Sequence, residues 1–279
     1  MKQASRFAPS PTGLLHLGHA YTAVLAEQVA RVAGGRFRLR IEDIDEGRCR
    51  PAFVDAIIAD LKWLGLEWHG APLFQSQRTG HYAAALNKLH ALGLTYVCTC
   101  TRTEIAASAP QGPMGPVYPG TCRNRAHDAD PKAAHCWRLD MQKAVALAGP
   151  LTWHDASDGE VQAHPLSQGD IVIARKDAAA SYHLAVTVDD AAQDVTDIVR
   201  GRDLFEATHI HCLLQALLGL PTPRYHHHPL VVGPDGKRLA KRDEAPTLAS
   251  LREAGTDGLA LTKMLRAHRF PVGFSLANP

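Results

Sequence analysis

Arg6-Phe7-Ala8-Pro9-Ser10-Pro11-Thr12-Gly13-Leu14-Leu15-His16-Leu17-Gly18-His19 is the stretch on which the fold turns. Arg6-Phe7-Ala8 reads as a short buried strand. Pro9, Pro11 and Gly13 then force a turn, because proline fixes φ and lacks a donor while glycine bends freely. From Leu17 onward Tyr21, Val24, Leu25, Val29 and Val32 recur at helical spacing, and Gly34-Gly35 ends the helix. Beyond it Phe37, Leu39 and Ile41 alternate with Arg36, Arg38 and Arg40, the period of a strand. Strand, loop, helix and strand in about forty residues make a βαβ unit, which implies a parallel sheet.

Further out, helices are expected near residues 51–65 and 78–92, closed by Gly65 and Gly93. Residues 98–135 are rich in Cys, Pro and Gly and lack periodicity, as an insertion organised by something other than a core. Regular structure resumes at Cys136-Trp137-Arg138-Leu139. The apolar, β-branched runs 171–175 and 182–188 are expected as strands of the main sheet. A helix is predicted over 203–218, stopped by Gly219 and Pro221. Pro229-Leu230-Val231-Val232 reads as a strand entering the turn Gly233-Pro234-Asp235-Gly236, with a basic loop from Lys237 to Arg242 behind it. The last forty residues or so hold two short helices. The expected division is 1–97, first half of the catalytic domain; 98–135, the insertion; 136–245, second half with the basic loop; and 246–279, a short helical piece.

Composition narrows the function classes. A formal net charge of +2 over 279 residues excludes binding to nucleic acid by global charge, so any such contact needs a local basic face. The first residues lack the apolar core of a signal peptide, and no apolar run approaches the ~20 residues that span a bilayer. The expected location is the cytoplasm, with no membrane partner. There thiols stay reduced, and Cys98, Cys100 and Cys122, clustered within 25 positions, point to a metal site before disulfides.

His16 and His19 stand at the entrance of the first helix, after the carboxyl end of a parallel strand, where open α/β sheets bind ligands. A helix N-terminus offers N–H groups to phosphate, and two imidazoles there can stabilise a phosphate gaining charge. Gly18 permits close approach of a nucleotide. H-x-G-H alone also occurs as a pair of surface histidines; the strand before and the helix after decide against that here.

Arg6-Phe7-Ala8-Pro9-Ser10-Pro11-Thr12-Gly13 followed by His16-Leu17-Gly18-His19 resembles the opening of class I aminoacyl-tRNA synthetases, in the bacterial glutamyl branch. The resemblance implies a Rossmann-like α/β catalytic core that binds ATP, with Mg2+, over His16, Gly18 and His19. Gly236-Lys237-Arg238-Leu239-Ala240-Lys241-Arg242 is similar to the second signature of that class, K-M-S-K-S. Arg238 and Ala240 depart from it, whereas Lys241 matches the catalytic lysine that neutralises departing pyrophosphate.

A glutamate pocket needs cations for two carboxylates and an anion for the ammonium. Arg6 and Arg200 are the candidate cations, through their bidentate forks, and Glu42 is the candidate anion. The resemblance adds Phe7, Ala8, Pro9, Ser10 and Tyr182 to this pocket. Asp43 and Asp45 are not expected to ligate magnesium directly.

Cys98-Thr99-Cys100 and Cys122 supply three thiolates for zinc, able to fold a segment too loose for its own core. The candidates for the fourth ligand are Tyr118, His127, His135 and Cys136; chemistry alone prefers a histidine or Cys136, since phenol oxygen is an uncommon ligand. Tyr118-x-x-x-Cys122 after C-x-C resembles the zinc site of the glutamyl-queuosine tRNA(Asp) synthetases, and that resemblance selects Tyr118. The zinc is expected to be structural.

Only 38 residues follow Lys241, so no anticodon-binding domain is expected. That fits the same family, in which glutamate is esterified to the queuosine base in the anticodon of tRNA(Asp). The expected partners are therefore glutamate, ATP and queuosine-bearing tRNA(Asp), served by a monomer. The alternatives are a glutamate–tRNA ligase fragment acylating the 3′ end of tRNA(Glu), a small-molecule nucleotidyltransferase and a non-catalytic tRNA-binding paralogue.

Overall fold

The computed structural model describes residues 2–124, 135–175, 178–239 and 246–277. The opening βαβ unit forms as the sequence dictates: β1 (Ala4–Phe7), α1 (Leu17–Val32) and β2 (Arg36–Ile41), with β1 and β2 parallel in register Arg6–Arg38. Next come α2 (Pro51–Trp63), β3 (Leu73–Phe74) and α3 (Thr79–Ala91). The middle of the chain holds β4 (Thr95–Cys98), α4 (Arg102–Ser108), the hairpin β5 (Gln111–Gly112) and β6 (Gly115–Pro116), β7 (Cys136–Leu139) and α5 (Met141–Ala148). After these run β8 (Thr152–Asp155), β9 (Gly159–Gln162), β10 (Val172–Arg175), α6 (Tyr182–Ala192), β11 (Asp197–Gly201) and α7 (Phe205–Leu218). The chain closes with β12 (Arg224–His228), β13 (Val231–Val232), α8 (Leu248–Glu253), α9 (Gly258–Arg266) and β14 (Ser275–Leu276).

The main sheet runs β3-β2-β1-β11-β12-β8-β9, parallel except at its edge strand β9. Strand order reverses between β1 and β11, so their carboxyl ends border the crevice where such sheets take ligands. A second, antiparallel sheet, β10-β7-β4, carries the cysteine-rich excursion; β4 and β7, on either side of it, pair directly. One apolar core joins α1, β1, β2 and α2 to Leu248, Leu261 and Leu265 of the final helices. Arg266 on Glu27 at 2.7 Å and His268 on the Tyr21 hydroxyl at 2.8 Å also bind that end of the chain to α1.

Two strand expectations are corrected. Residues 182–188 lie in helix α6: Ser181 is its N-cap, its hydroxyl accepting from the Leu184 N–H, and Leu184 to Thr187 are buried on more than one face of the helix. Residues 172–175 form a strand, but of the second sheet. The main sheet instead takes β11 and β12, the latter an Arg-Tyr-His-His-His run without apolar alternation. Val231–Val232 is a strand, paired with β14 outside the main sheet.

Candidate active site

Helix α1 is capped by its own histidines. His16 Nδ1 accepts from the Gly18 N–H and His19 Nδ1 accepts from the His16 N–H, each at 3.1 Å. With Nδ1 accepting, each neutral ring carries its proton on Nε2, as a donor suited to a phosphate. The rings lie 3.8 Å apart and both line a cleft of about 500 Å³ at the β1/β11 switch. A Cβ on Gly18 would stand 3.1 Å from the His16 ring, so glycine there makes room for the imidazole itself.

The same cleft is lined by Arg6, Phe7, Ala8, Pro9, Ser10, Glu42, Tyr182 and Arg200, which brings together every residue assigned to the glutamate pocket. Arg6 Nε bonds Asp190 Oδ1 at 2.9 Å, and Arg40 Nη1 bonds the same oxygen at 2.7 Å. Arg40 also lies 3.3 Å from Glu42. Strand alternation put Arg40 on the polar face, yet it is 0% exposed, because Asp190 and Glu42 meet it there. Against the cost of burial, Arg40 and Arg6 hold the Asp190 carboxyl below its ordinary value. Burial pushes Glu42 upward, opposed by Arg40 and Arg6. Arg6, Arg40, Asp190 and Glu42 thus form a charge-balanced group.

Arg200 differs. Its Nε donates to His227 Nε2 at 3.1 Å, Nη1 to His211 Nδ1 at 3.2 Å and Nη2 to Thr208 Oγ1 at 2.6 Å. No carboxylate pairs with it among the described residues. One N–H on each Nη remains, the pair a carboxylate engages as a fork. Composition alone hid this environment; the run His226-His227-His228 was its one visible sign.

A second cavity of about 760 Å³ shares Ser10, Thr12, Glu42 and Tyr182 with the first and extends to Arg138, Asp170 and Arg175. Asp43 and Asp45 have local partners: Asp43 accepts from the Ser76 N–H at 2.9 Å and Asp45 pairs with Arg48 at 2.7 Å. Arg238 lines the first cleft and pairs with Asp203 at 2.7 Å. Ala240 and Lys241 lie outside the described residues, as does His127.

The Cys98, Cys100 and Cys122 sulfurs lie within 4.8 Å of one another. The Tyr118 hydroxyl is 3.3 Å from Cys98 Sγ and 3.4 Å from Cys100 Sγ, and Cys100 and Cys122 sulfurs are 3.5 Å apart. Tetrahedral zinc needs edges of roughly 3.5–3.8 Å between its donors, close to these distances, and the three thiols are compatible with such a site. Hydrogen bonding from Cys136, opposed by burial and joined by Tyr118 and Arg138, pulls the Cys98 thiol below its ordinary value. Arg138 also stacks over the Tyr118 ring, 3.7 Å from its centroid. Cys136 borders the cluster but falls outside the mutually close sulfurs.

Comparison with known proteins agrees with this geometry. Residues 2–273 match the family of class I tRNA synthetases (E and Q), catalytic domain. A Rhodobacter capsulatus protein named glutamyl-Q tRNA(Asp) synthetase is 48% identical, over 94% of this chain and 99% of its own. One of the same name from Symbiobacterium thermophilum is 46% identical, over 90% of this chain and 81% of its own. Among solved structures, a glutamate tRNA ligase from Elizabethkingia meningosepticum, in complex with its amino acid, superposes with a TM-score of 0.77 at 27% identity. This chain is covered to 95% in that superposition and spans 60% of the ligase. Among the described residues, no helix is long and apolar enough to cross a membrane. The chain belongs to the class I tRNA synthetases of the E and Q type, of which it carries the catalytic domain.

Proposed function

We propose that this protein activates glutamate with ATP, without needing tRNA for that step, and transfers the glutamyl group to the queuosine base in the anticodon of tRNA(Asp). The observation that carries the first half is Arg200: a buried guanidinium with three neutral acceptors and, among the described residues, no acid, beside a charge-balanced group that offers Glu42 to an ammonium. Such a cation selects a side-chain carboxylate over an amide. Arg200 with Arg6 and Tyr182 receives the glutamate carboxylates, Glu42 receives its ammonium, and Phe7, Ala8, Pro9 and Ser10 form the wall. ATP with Mg2+ lies over Gly18, and the His16 and His19 donors meet its phosphates. An oxygen of the glutamate α-carboxylate attacks the α-phosphorus and pyrophosphate leaves, its charge met by Lys241. A hydroxyl of the queuosine diol then attacks the carbonyl of the mixed anhydride, losing its proton as AMP departs.

The larger cavity adjoins the first at Ser10, Thr12, Glu42 and Tyr182 and offers the acceptor a route to the anhydride. Support for the acceptor comes from the relatives named for glutamyl-Q, which this chain spans nearly end to end in one case. Zinc, held by Cys98, Cys100, Tyr118 and Cys122, stiffens the excursion beside that cavity. We further propose that residues 1–97 and 136–245 act as the two halves of the catalytic domain, with 98–135 as the zinc-bearing insertion and 246–279 as a helical appendix. The protein works as a monomer in the cytoplasm. Acylation of the 3′ end of tRNA(Glu) is the second reading, favoured by the solved glutamate tRNA ligase. Glutamate-dependent ATP–pyrophosphate exchange without tRNA tests the activation step; its absence would end this assignment.

A further inference from the structure

Arg200 stands at the middle of a chain of hydrogen bonds that fixes the proton position on every ring in it. Arginine only donates, so His227 Nε2, at 3.1 Å, must be an unprotonated acceptor. The His227 proton is therefore on Nδ1, 2.7 Å from Asp155 Oδ2. On the other side His211 Nδ1 accepts from Arg200 Nη1 at 3.2 Å, which places its proton on Nε2. That N–H donates to His183 Nδ1 at 3.1 Å, and His183 in turn carries its proton on Nε2. The series reads Asp155, His227, Arg200, His211, His183, drawn from β8, β12, β11, α7 and α6.

We propose that His227 and His211, backed by Asp155 and His183, are positioning residues that hold Arg200 as an oriented, uncompensated cation for the substrate's side-chain carboxylate. A carboxylate in place of either imidazole would hold the guanidinium equally well and cancel its charge. A neutral imidazole supplies the hydrogen bond and leaves the charge for the ligand. The brace sits in the protein interior: Arg200 is 4% exposed, His211 2% and His227 4%. His211 faces Arg200 from β11, Arg6 from β1, His183 and Tyr182 from α6, and His227 from β12. No acid stands among these to favour an imidazolium, and burial together with Arg200 holds His211 well below its ordinary value. Asp155 is the one acid in the chain, and it lies on the far side of His227, where it orients that ring by accepting its Nδ1 proton.

The proposal rests on reading Arg200 as a glutamate contact, and the test separates the two. In the unaltered protein, two-bond proton–nitrogen spectra at neutral pH should show His227 as the Nδ1–H tautomer, with His211 and His183 as Nε2–H. An imidazolium or the opposite tautomer at His211 overturns the brace whatever the substrate. His211→Leu should raise the glutamate KM in pyrophosphate exchange on the order of tenfold, the loss of one charge-assisted hydrogen bond. Its KM for ATP should stay within about twofold, since a general structural defect would move both. His211→Gln keeps an acceptor for Arg200 and a donor for His183 and should restore the glutamate KM. Equal changes in both constants, or no rescue by glutamine, contradict the proposal. An unaltered protein that shows no glutamate-dependent exchange overturns the substrate reading itself, while the spectra still decide the brace.

Discussion

Replacing Asp190 with asparagine removes one charge from the group beneath the cleft and leaves its shape intact. Asp190 Oδ1 holds Arg6 Nε at 2.9 Å and Arg40 Nη1 at 2.7 Å, and Glu42 supplies the second negative charge at 3.3 Å from Arg40. Neighbouring Asp189 is hydrogen-bonded by Arg78, Gln75 and Tyr82 and acts on Arg40 only through space, with less effect than Asp190 or Glu42. The wild-type group is neutral; Asp190→Asn leaves it with net charge +1 where its members are buried. Removing one partner of a buried ion pair costs about 3–5 kcal/mol, and the retained asparagine oxygen keeps this case near about 3 kcal/mol. For a domain of this size roughly 2 °C accompanies each kcal/mol, so the thermal midpoint should fall by about 6 °C. Glu42 would then be drawn to two unbalanced guanidiniums and away from a substrate ammonium. Pyrophosphate exchange should show a glutamate KM raised more than the ATP KM. A midpoint shift below about 2 °C would refute the charge balance, since so small a cost is that of an exposed pair.

Other consequences follow from the same geometry. Arg200→Lys keeps a charge but loses the fork, and should lower kcat/KM for glutamate by roughly 100-fold, about 3 kcal/mol, as read by exchange. An unchanged value would remove Arg200 from the substrate. Metal analysis should find one zinc per chain; Tyr118→Phe should weaken its retention against a chelator, and Cys122→Ser should abolish it, both with pyrophosphate exchange retained. Full retention in Tyr118→Phe would remove the tyrosine from the ligand set. His227 is depressed to about 3 by burial and Arg200, and His183 to about 4 by the same causes. A ring held neutral in the fold and protonated near 6.5 when unfolded gives stability that is complete above that pH. It is lost as pH falls from 6.5 towards 4, by about 1.4 kcal/mol per unit for each such ring. Denaturant titrations across this range should show the decline, and His211→Gln should make it shallower.

The parts of the fold that sequence displays are those whose local pattern matches their environment. Helix α1 is amphipathic and glycine-ended, and β2 alternates, so the first βαβ unit was legible and with it the placing of His16, His19, Arg6 and Glu42. Where burial is two-sided the pattern fails. The α6 run Leu184-Ala185-Val186-Thr187 is buried on more than one face and so mimics a strand; only Ser181 marked it as a helix start. Strand β12 is polar in sequence because His227 is buried by hydrogen bonds to Arg200 and Asp155 and His228 lines the cleft. Arg40 misled in the same way: its partner Asp190 is 150 residues away, and no local signal reports a buried ion pair. Family resemblance located Arg200, but the neutral environment that gives it meaning comes from four other elements.

In the proposed function, glutamate is activated here and passed to queuosine. The most direct measurement is incorporation of labelled glutamate, with ATP, into tRNA(Asp) purified with and without queuosine, alongside tRNA(Glu). Label is expected only in queuosine-bearing tRNA(Asp), recovered on the anticodon fragment after ribonuclease cleavage. Equal labelling of both forms of tRNA(Asp), or a preference for tRNA(Glu), would contradict it.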